Sequence, residues 1–295
     1  MMKIAVIAHK KKVLGGGLSE LRQVLKDRGY IDPPWYEVRS SRQVPALARK
    51  VVANGAELLF IWGGDGSVQR CVDAVAGETV NLAILPAGTA NLLATNLNIP
   101  IDLEGAVDVG LYGDRRRLDV GVLNDERFAV MAGVGFDALM MRYADDSLKE
   151  HFGRIAYVVS GTRATQMNSR KVRITVDRQL WFKGRATCVL LGQMGALAGG
   201  VEVFPNSSPD DGLLEIGVVT AENPVQWARV LARMAVGHAE NSPLARLTQG
   251  RRVDIKLSRP TVYELDGGAR SAKKRLRAKI ERGGLVVCVP RVEKS

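Results

Sequence analysis

Gly63-Gly64-Asp65-Gly66-Ser67 stands directly after an unbroken apolar run, Glu57–Trp62, and opens a helical pattern. Glycines at a strand-to-helix turn let the backbone approach an anion, and the free N–H groups of the helix's first turn point toward it. An aspartate among such donors suits a magnesium ion or a ribose better than a bare phosphate. The same residues also make an ordinary turn, with Asp65 as the turn former, and this segment alone does not separate the two readings. About twenty residues on, Pro86-Ala87-Gly88-Thr89-Ala90-Asn91 repeats the arrangement at the end of the next apolar run. Here Thr89 could equally be an N-cap and Asn91 a solvated polar residue. Two such loops at the carboxyl ends of neighbouring parallel strands face one crevice, which is where open α/β sheets bind ligands. Taken together, the two loops read as a nucleotide site.

Little else in the chain has the spacing of a reactive centre. Cys71, Cys188 and Cys288 are scattered and each sits in an apolar run, which is the setting of a small buried hydrophobe. His9, His151 and His238 show no metal-ligand spacing.

The elements that must hold the loops follow from periodicity. Ile4–Ala8 and Trp35–Val38 read as strands, as do Glu57–Trp62 and Asn81–Leu85. Leu18–Arg28, Val44–Ala53, Ser67–Ala76 and Thr89–Leu97 read as helices, two of them stopped by Gly29 and Gly55. Repeated β-α-β units predict a doubly wound parallel sheet over residues 1–117. From Leu118 the texture changes. Leu118–Leu123 and Arg127–Ala132 suggest a hairpin, and Lys171–Val176 alternates as a half-solvated antiparallel strand does. Further strands are expected at Arg185–Gly192, Leu213–Val219, Arg252–Leu257 and Leu285–Val289, with helices at His151–Thr165 and Pro224–Val236. The expected fold class is therefore α/β: an N-terminal doubly wound parallel-sheet nucleotide domain, then a mainly antiparallel β-sandwich domain over 118–295.

The chain has 295 residues, room for two domains with buried cores. Its 42 Lys+Arg against 31 Asp+Glu leave a net charge of +11, which suits an anionic partner. Aromatic residues make up 5%, which argues against binding of single strands by base stacking, and no nucleic acid partner is expected. The apolar start Ile4–Ala8 is short and runs into His9-Lys10-Lys11-Lys12, unlike a signal peptide. The long uncharged stretch Thr79–Ile101 is cut by Pro86 and Pro100, so no membrane span is read and a cytoplasmic location is expected. Arg270–Lys279 holds six cations and no acid, and Arg115-Arg116-Arg117 forms a second cluster. Either is a solvated face or a contact with an anionic membrane.

The order of motifs resembles the diacylglycerol kinase catalytic family, which includes bacterial lipid kinases and the sphingosine and ceramide kinases. The likeness rests on the two loops and on Leu118-Asp119-Val120-Gly121 and Gly133-Val134-Gly135-Phe136-Asp137-Ala138. It continues through Pro209-Asp210-Asp211-Gly212-Leu213-Leu214 and Leu265-Asp266-Gly267-Gly268. The resemblance implies ATP bound across the loops in an interdomain cleft, lined by Gly63, Gly64, Gly66, Ser67, Gly88, Thr89 and Asn91. It places Asp65 at the phosphates and Mg²⁺, and Asp119 as an acid facing the cleft near a metal-bound water or the head group. Asp210 and Asp211 match acids that hold a second, structural magnesium in some bacterial members, though a plain Pro-Asp-Asp-Gly turn is an equal reading. The acceptor implied is a lipid hydroxyl, diacylglycerol or sphingoid-type, taken from an anionic membrane surface by a peripherally associated protein, with a homodimer as one option. An acyl slot would draw on Ala186–Val201 and Ile155–Val159.

Two positions depart from the family pattern. Bacterial diacylglycerol kinases typically carry Asp where this chain has Leu92, while sphingosine-kinase-like members carry an apolar residue there. The family's C-terminal motif is Asp-Gly-Glu, whose Glu is taken as the base for the acceptor hydroxyl, and here that place is Gly268. Alternation along a strand would put Glu264 and Asp266 on one face with it, so either could substitute, with Asp65 or Asp119 the preferred bases. A kinase of a soluble hydroxyl compound such as NAD, and a non-catalytic nucleotide- or lipid-binding relative, are the competing readings.

Overall fold

Four parallel strands, β1 (Ile4–His9), β2 (Trp35–Val38), β3 (Leu58–Gly63) and β4 (Asn81–Pro86), lie in the order β2-β1-β3-β4. Every residue of β3 is buried, Phe60 and Trp62 fully, as a strand covered on both faces requires. The helices between the strands turn one apolar stripe inward: Leu21, Val24 and Leu25 on α1 (Leu18–Asp27), and Val44, Ala48 and Val51 on α2 (Val44–Ala53). Helix α3 (Asp65–Val75) packs on α2 and β3, and α1 packs on α5 (Leu103–Tyr112), which lies over β4. The strand order reverses between β1 and β3, so their carboxyl ends border a crevice.

This computed structural model describes residues 2–135, 169–196, 202–235 and 242–291. The chain divides into two units, Met1–Val120 with Arg282–Ser295, and Gly121–Glu281. The first is the parallel α/β unit and the second an antiparallel β-sandwich, the fold class expected from periodicity. Strand β5 (Asp114–Leu123) runs from one into the other, and its last residues pair with β6 (Glu126–Phe128). In the second unit β12 (Ala245–Gly250), β11 (Leu214–Val219), β10 (Cys188–Gly192), β7 (Met131–Val134), β13 (Arg252–Leu265) and β14 (Gly268–Val289) follow one another in space, all antiparallel. Strand β8 (Arg170–Val176) also pairs with β13 and carries β9 (Gln179–Ala186) on its other edge. Their inward residues, among them Val172, Ile174, Phe182, Val253, Ile255 and Leu276, form one core. Helix α6 (Pro224–Ala235) is the second unit's described helix.

Several elements differ from the sequence expectation. Helix α5 escapes the periodicity because Gly105 and Gly110 interrupt it. Gly110 is there to let the helix close on the sheet, since a Cβ on it would overlap the Phe60 ring and reach 2.9 Å from the Ala83 Cβ. The expected strand Arg185–Gly192 is two strands broken at Thr187, whose N–H and hydroxyl both donate to the Val219 carbonyl, at 2.9 and 3.1 Å. Leu285–Val289 is the end of the long β14, and its Val287 pairs in parallel with Leu82 of β4, so this stretch belongs to the first unit's sheet. Arg115 is a capping residue: its guanidinium donates to the Gly113 and Gly110 carbonyls at 2.8 and 3.0 Å and closes the end of α5. The three cysteines are free and buried, as expected of small apolar side chains. The expected helix His151–Thr165 and the residues Phe136-Asp137-Ala138 lie outside the described residues, as does much of the proposed acyl slot.

Candidate nucleotide site

The first loop leaves β3 at Gly63, caps α3 with Gly64 and starts the helix at Asp65. Gly64 has no side chain to cap this helix start. The Ser67 and Val68 N–H groups donate to its carbonyl at 2.8 and 3.1 Å, and the Asp65 N–H donates to its own carboxyl. This leaves the Gly66 N–H for an incoming anion. The second loop leaves β4 at Pro86, beside Gly63 in the parallel register, and the Ala87 N–H donates to the Gly63 carbonyl at 3.1 Å.

Asp65 ties the loops together. Its Oδ1 accepts the Leu92 N–H at 2.6 Å and its Oδ2 the Asn91 N–H at 3.1 Å. The backbones also touch: a Cβ on Gly88 would overlap the Gly64 Cα, and one on Gly64 would stand 3.0 Å from the Gly88 Cα. Neither position has room for a side chain. Burial pushes the Asp65 carboxyl above its ordinary range, against the downward pull of the Leu92 N–H, its own N–H, the Asn91 N–H and the Lys12 charge.

Asn91 holds the second loop's shape from inside. It takes the left-handed conformation (φ 47°), accepts the Gly88 N–H at 2.8 Å and donates to the Gly88 carbonyl at 2.9 Å. The helix after it, α4, covers only Leu92–Asn96, three residues shorter at its start than the expected Thr89–Leu97. Thr89 is therefore an exposed loop residue and caps nothing through its side chain. Ser67 is buried, and its Cβ and Oγ stand where a Cβ on Gly63 would go, 2.6 and 2.8 Å away. Gly66 alone faces open space, with Ser41 Oγ at 4.0 Å as the nearest atom to a built Cβ.

Lys12 completes the crevice and was missed in the sequence. It follows β1, its carbonyl accepts the Trp62 indole N–H at 3.0 Å, and its Cε lies 4.0 Å from the Cβ position of Gly64. The available signal was its place just past the carboxyl end of the strand that borders β3, on the same edge as both loops. Burial, with the Lys12 charge adding to it, lowers the pKa of His9 at the end of β1. A half-buried lysine beside a helix start and the Gly64 backbone suits an anionic ligand such as a polyphosphate.

The remaining acids make structural bonds of their own. Asp119 is buried, and its Oδ1 accepts the Gly283 N–H at 2.6 Å, which fixes a left-handed glycine (φ 57°) in β14. Asp210 accepts the Ser208 hydroxyl at 2.7 Å and Asp211 the Leu213 N–H at 2.8 Å, the bonds of a turn. Burial raises the pKa of Glu215, and the Asp211 charge adds to this against a hydrogen bond from Gln249. Among the described residues no group of three or more His, Cys, Asp or Glu could hold a metal ion.

At the C-terminal motif the strand alternation breaks. Asp266 and Gly267 both have positive φ, 42° and 78°, the two central residues of a tight hairpin turn between β13 and β14. Gly268 pairs with Leu265, while Glu264 pairs with Ala269, so Gly268 and Glu264 lie on opposite faces and Asp266 on neither. Asp266 is buried and accepts the N–H groups of Ala129, Val130 and Met131 at 2.9, 3.0 and 2.8 Å. It is a structural clamp. The space beside Gly268 holds the Arg270 guanidinium, 2.8 Å from a built Cβ, which also pairs with Glu126 at 2.6 Å.

Known proteins match this arrangement along most of the chain. The family model for the diacylglycerol kinase catalytic domain matches residues 8–123, and that for the YegS C-terminal NAD kinase beta sandwich-like domain matches residues 130–289. A diacylglycerol kinase of Staphylococcus epidermidis is 26% identical over 223 residues, 75% of this chain and 70% of the relative. That of Staphylococcus carnosus is 25% identical over 235 residues, 79% and 76% of the two chains. Among solved structures, a putative diacylglycerol kinase from Bacillus anthracis superposes with a TM-score of 0.79 at 21% identity, covering 97% of this chain and 96% of the other. An NAD kinase from Archaeoglobus fulgidus in complex with ATP gives 0.54 at 12% identity, covering 97% and 93%, a likeness of fold.

Proposed function

Because the chain belongs to the diacylglycerol kinase catalytic family, we propose that it transfers the γ-phosphate of ATP to a lipid hydroxyl with the help of Mg²⁺, at the cytoplasmic surface of a membrane. The observation that carries the reading is the paired loop: two glycine backbones in contact, locked by Asp65 and faced by Lys12. Phosphoryl transfer needs positioning and charge neutralisation more than covalent chemistry from the protein. The helix start and Lys12 supply positive potential, and the Asp65 lock keeps both loops in one geometry before substrate arrives.

Bound magnesium would neutralise charge developing on the transferred group. The residues fit it in one form: a single carboxylate, Asp65, sharing the ion with nucleotide phosphates, as Mg²⁺ commonly accepts. The turn bonds of Asp210 and Asp211 favour their plain structural reading. With Asp266 clamped and Gly268 unable to take a proton, Asp65 and Asp119 remain the candidate bases. A missing dedicated base costs about 10²–10⁴ in rate, so slow turnover is expected.

The test is transfer of labelled γ-phosphate from ATP to mixed micelles of diacylglycerol, sphingosine or ceramide, with NAD alongside and Asp65→Ala as control. A labelled lipid lost in the variant supports the reading and names the acceptor. Label on NAD and on no lipid would replace it with a soluble-acceptor kinase, and ATP binding with no transfer at all would replace it with a binding protein.

A further inference from the structure

We propose that the outward face of the β9-β8-β13-β14 sheet docks this protein on an anionic lipid bilayer. Residues paired across an antiparallel sheet share a face, and the register lines up Arg275, Lys256, Arg173 and Lys183, one from each of four adjacent strands. All four are exposed. Like charges placed directly opposite one another destabilise a sheet, so this row weakens the fold that carries it. On one side the next row pairs Lys171 with Arg185; on the other Arg277 stands opposite Asp254, and one row further Arg252 opposite Lys279. The opposite face of the same strands is apolar core, so the cations form one flat layer. With strands ~4.8 Å apart, the central row spans roughly 15 Å.

Counter-charge is sparse. Asp254 lies within this face and accepts from the Arg275 Nε at 2.9 Å, while Glu281 pairs with Lys279 at 3.0 Å and Glu222 stands 3.7 Å from Arg185. Lys256, Arg173 and Lys183 form no salt bridge among the described residues. Charge and shape favour a bilayer over the alternatives. A second copy of the same face would be repelled. Among the described residues the rings of these strands are taken up by the core, Phe182 and Tyr263 buried in it and Trp181 packed against it, which disfavours stacking of bases on this face. A flat layer of cations matches a plane of lipid phosphates, where each lysine or arginine adds about fivefold to partitioning.

The proposal builds on the lipid-acceptor reading but is tested apart from it. The full chain is sedimented, without ATP, with phosphatidylcholine vesicles that contain or lack phosphatidylglycerol, and again with duplex DNA. The comparison is a triple variant, Arg173→Glu, Lys183→Glu and Lys256→Glu. Wild type should bind the anionic vesicles, lose binding in raised salt, and be weakened roughly 100-fold or more in the variant. The variant should keep its melting temperature, ATP affinity and transfer to a water-soluble short-chain diacylglycerol. Equal vesicle binding by both proteins would overturn the proposal, as would wild-type binding to DNA but not to anionic vesicles. Failure of phosphate transfer in wild type would remove the kinase reading and leave the docking face standing.

Discussion

Replacing Gly66 by alanine separates folding from ligand binding at the first loop. Gly66 is the second residue of α3, lies outside the positive-φ set, and a Cβ on it meets nothing closer than Ser41 Oγ at 4.0 Å. Folding alone therefore gives no reason for glycine. Alanine at a helical position gains about 0.5–1 kcal/mol over glycine, which should raise the melting temperature by roughly 1–4 °C. If the residue is glycine so that a phosphate can reach the backbone, the same methyl blocks the approach. Loss of one hydrogen bond to a charged group is worth ~1.5–3 kcal/mol, or roughly a 10- to 100-fold weaker Kd for ATP. Thermal melts and titration calorimetry on the same preparations read both effects. A variant that binds ATP as tightly as wild type would refute the cradle, and a sharply lowered melting temperature would refute the claim of open space.

Three further substitutions probe the two loops and the C-terminal motif. Gly88→Ala drives a Cβ into the Gly64 backbone and to 2.7 Å from Asn91 Oδ1, so it should cost about 1–3 kcal/mol of stability as well as ATP affinity, seen in denaturant melts and binding titrations. Asp65→Asn tests the buried carboxyl by pH. Because burial raises the folded pKa, the fold favours the protonated acid: its contribution is full below the unfolded value of about 3.9 and is lost as pH rises through the folded value. Wild-type stability relative to Asp65→Asn should thus fall from below about pH 4 toward neutrality, and a flat or rising difference would contradict the burial argument. Gly268→Glu restores the family acid where the Arg270 guanidinium, paired with Glu126, must shift to admit it. Turnover should rise by about 10²-fold or more in a phosphate-release or labelling assay, with unchanged kcat showing that the acid is not limiting.

Much of the first unit was legible because its signals are local. Val44–Ala53 and Trp35–Val38 are found where periodicity puts them, and the apolar run before Gly63 marks a strand buried on both faces. The loops were legible as a pair, but the work of their residues was not. Asn91 looks like a free ligand in the sequence, yet the structure turns it inward to hold Gly88, a bond that depends on a left-handed backbone. Lys12 went unseen because its neighbour in space, Gly64, is about fifty residues away in sequence. At the C-terminal motif the alternation argument carried Glu264, Asp266 and Gly268 onto one face. The Asp-Gly pair is itself a strong hairpin signal, and reading it as such would have ended the strand at Leu265.

The end of β14 has a consequence for how the protein is made. The strand pairs with β4 at Val287, yet it leaves the ribosome only after the whole of Gly121–Glu281. At ~5–20 residues per second, those roughly 160 residues take about 8–30 s to synthesise. Both phosphate loops exist throughout that interval on a sheet whose β4 edge is bare, and a bare edge strand is a template for wrong pairing. The first unit therefore completes its sheet last, and a chain stalled before the end of β14 is left with that edge open.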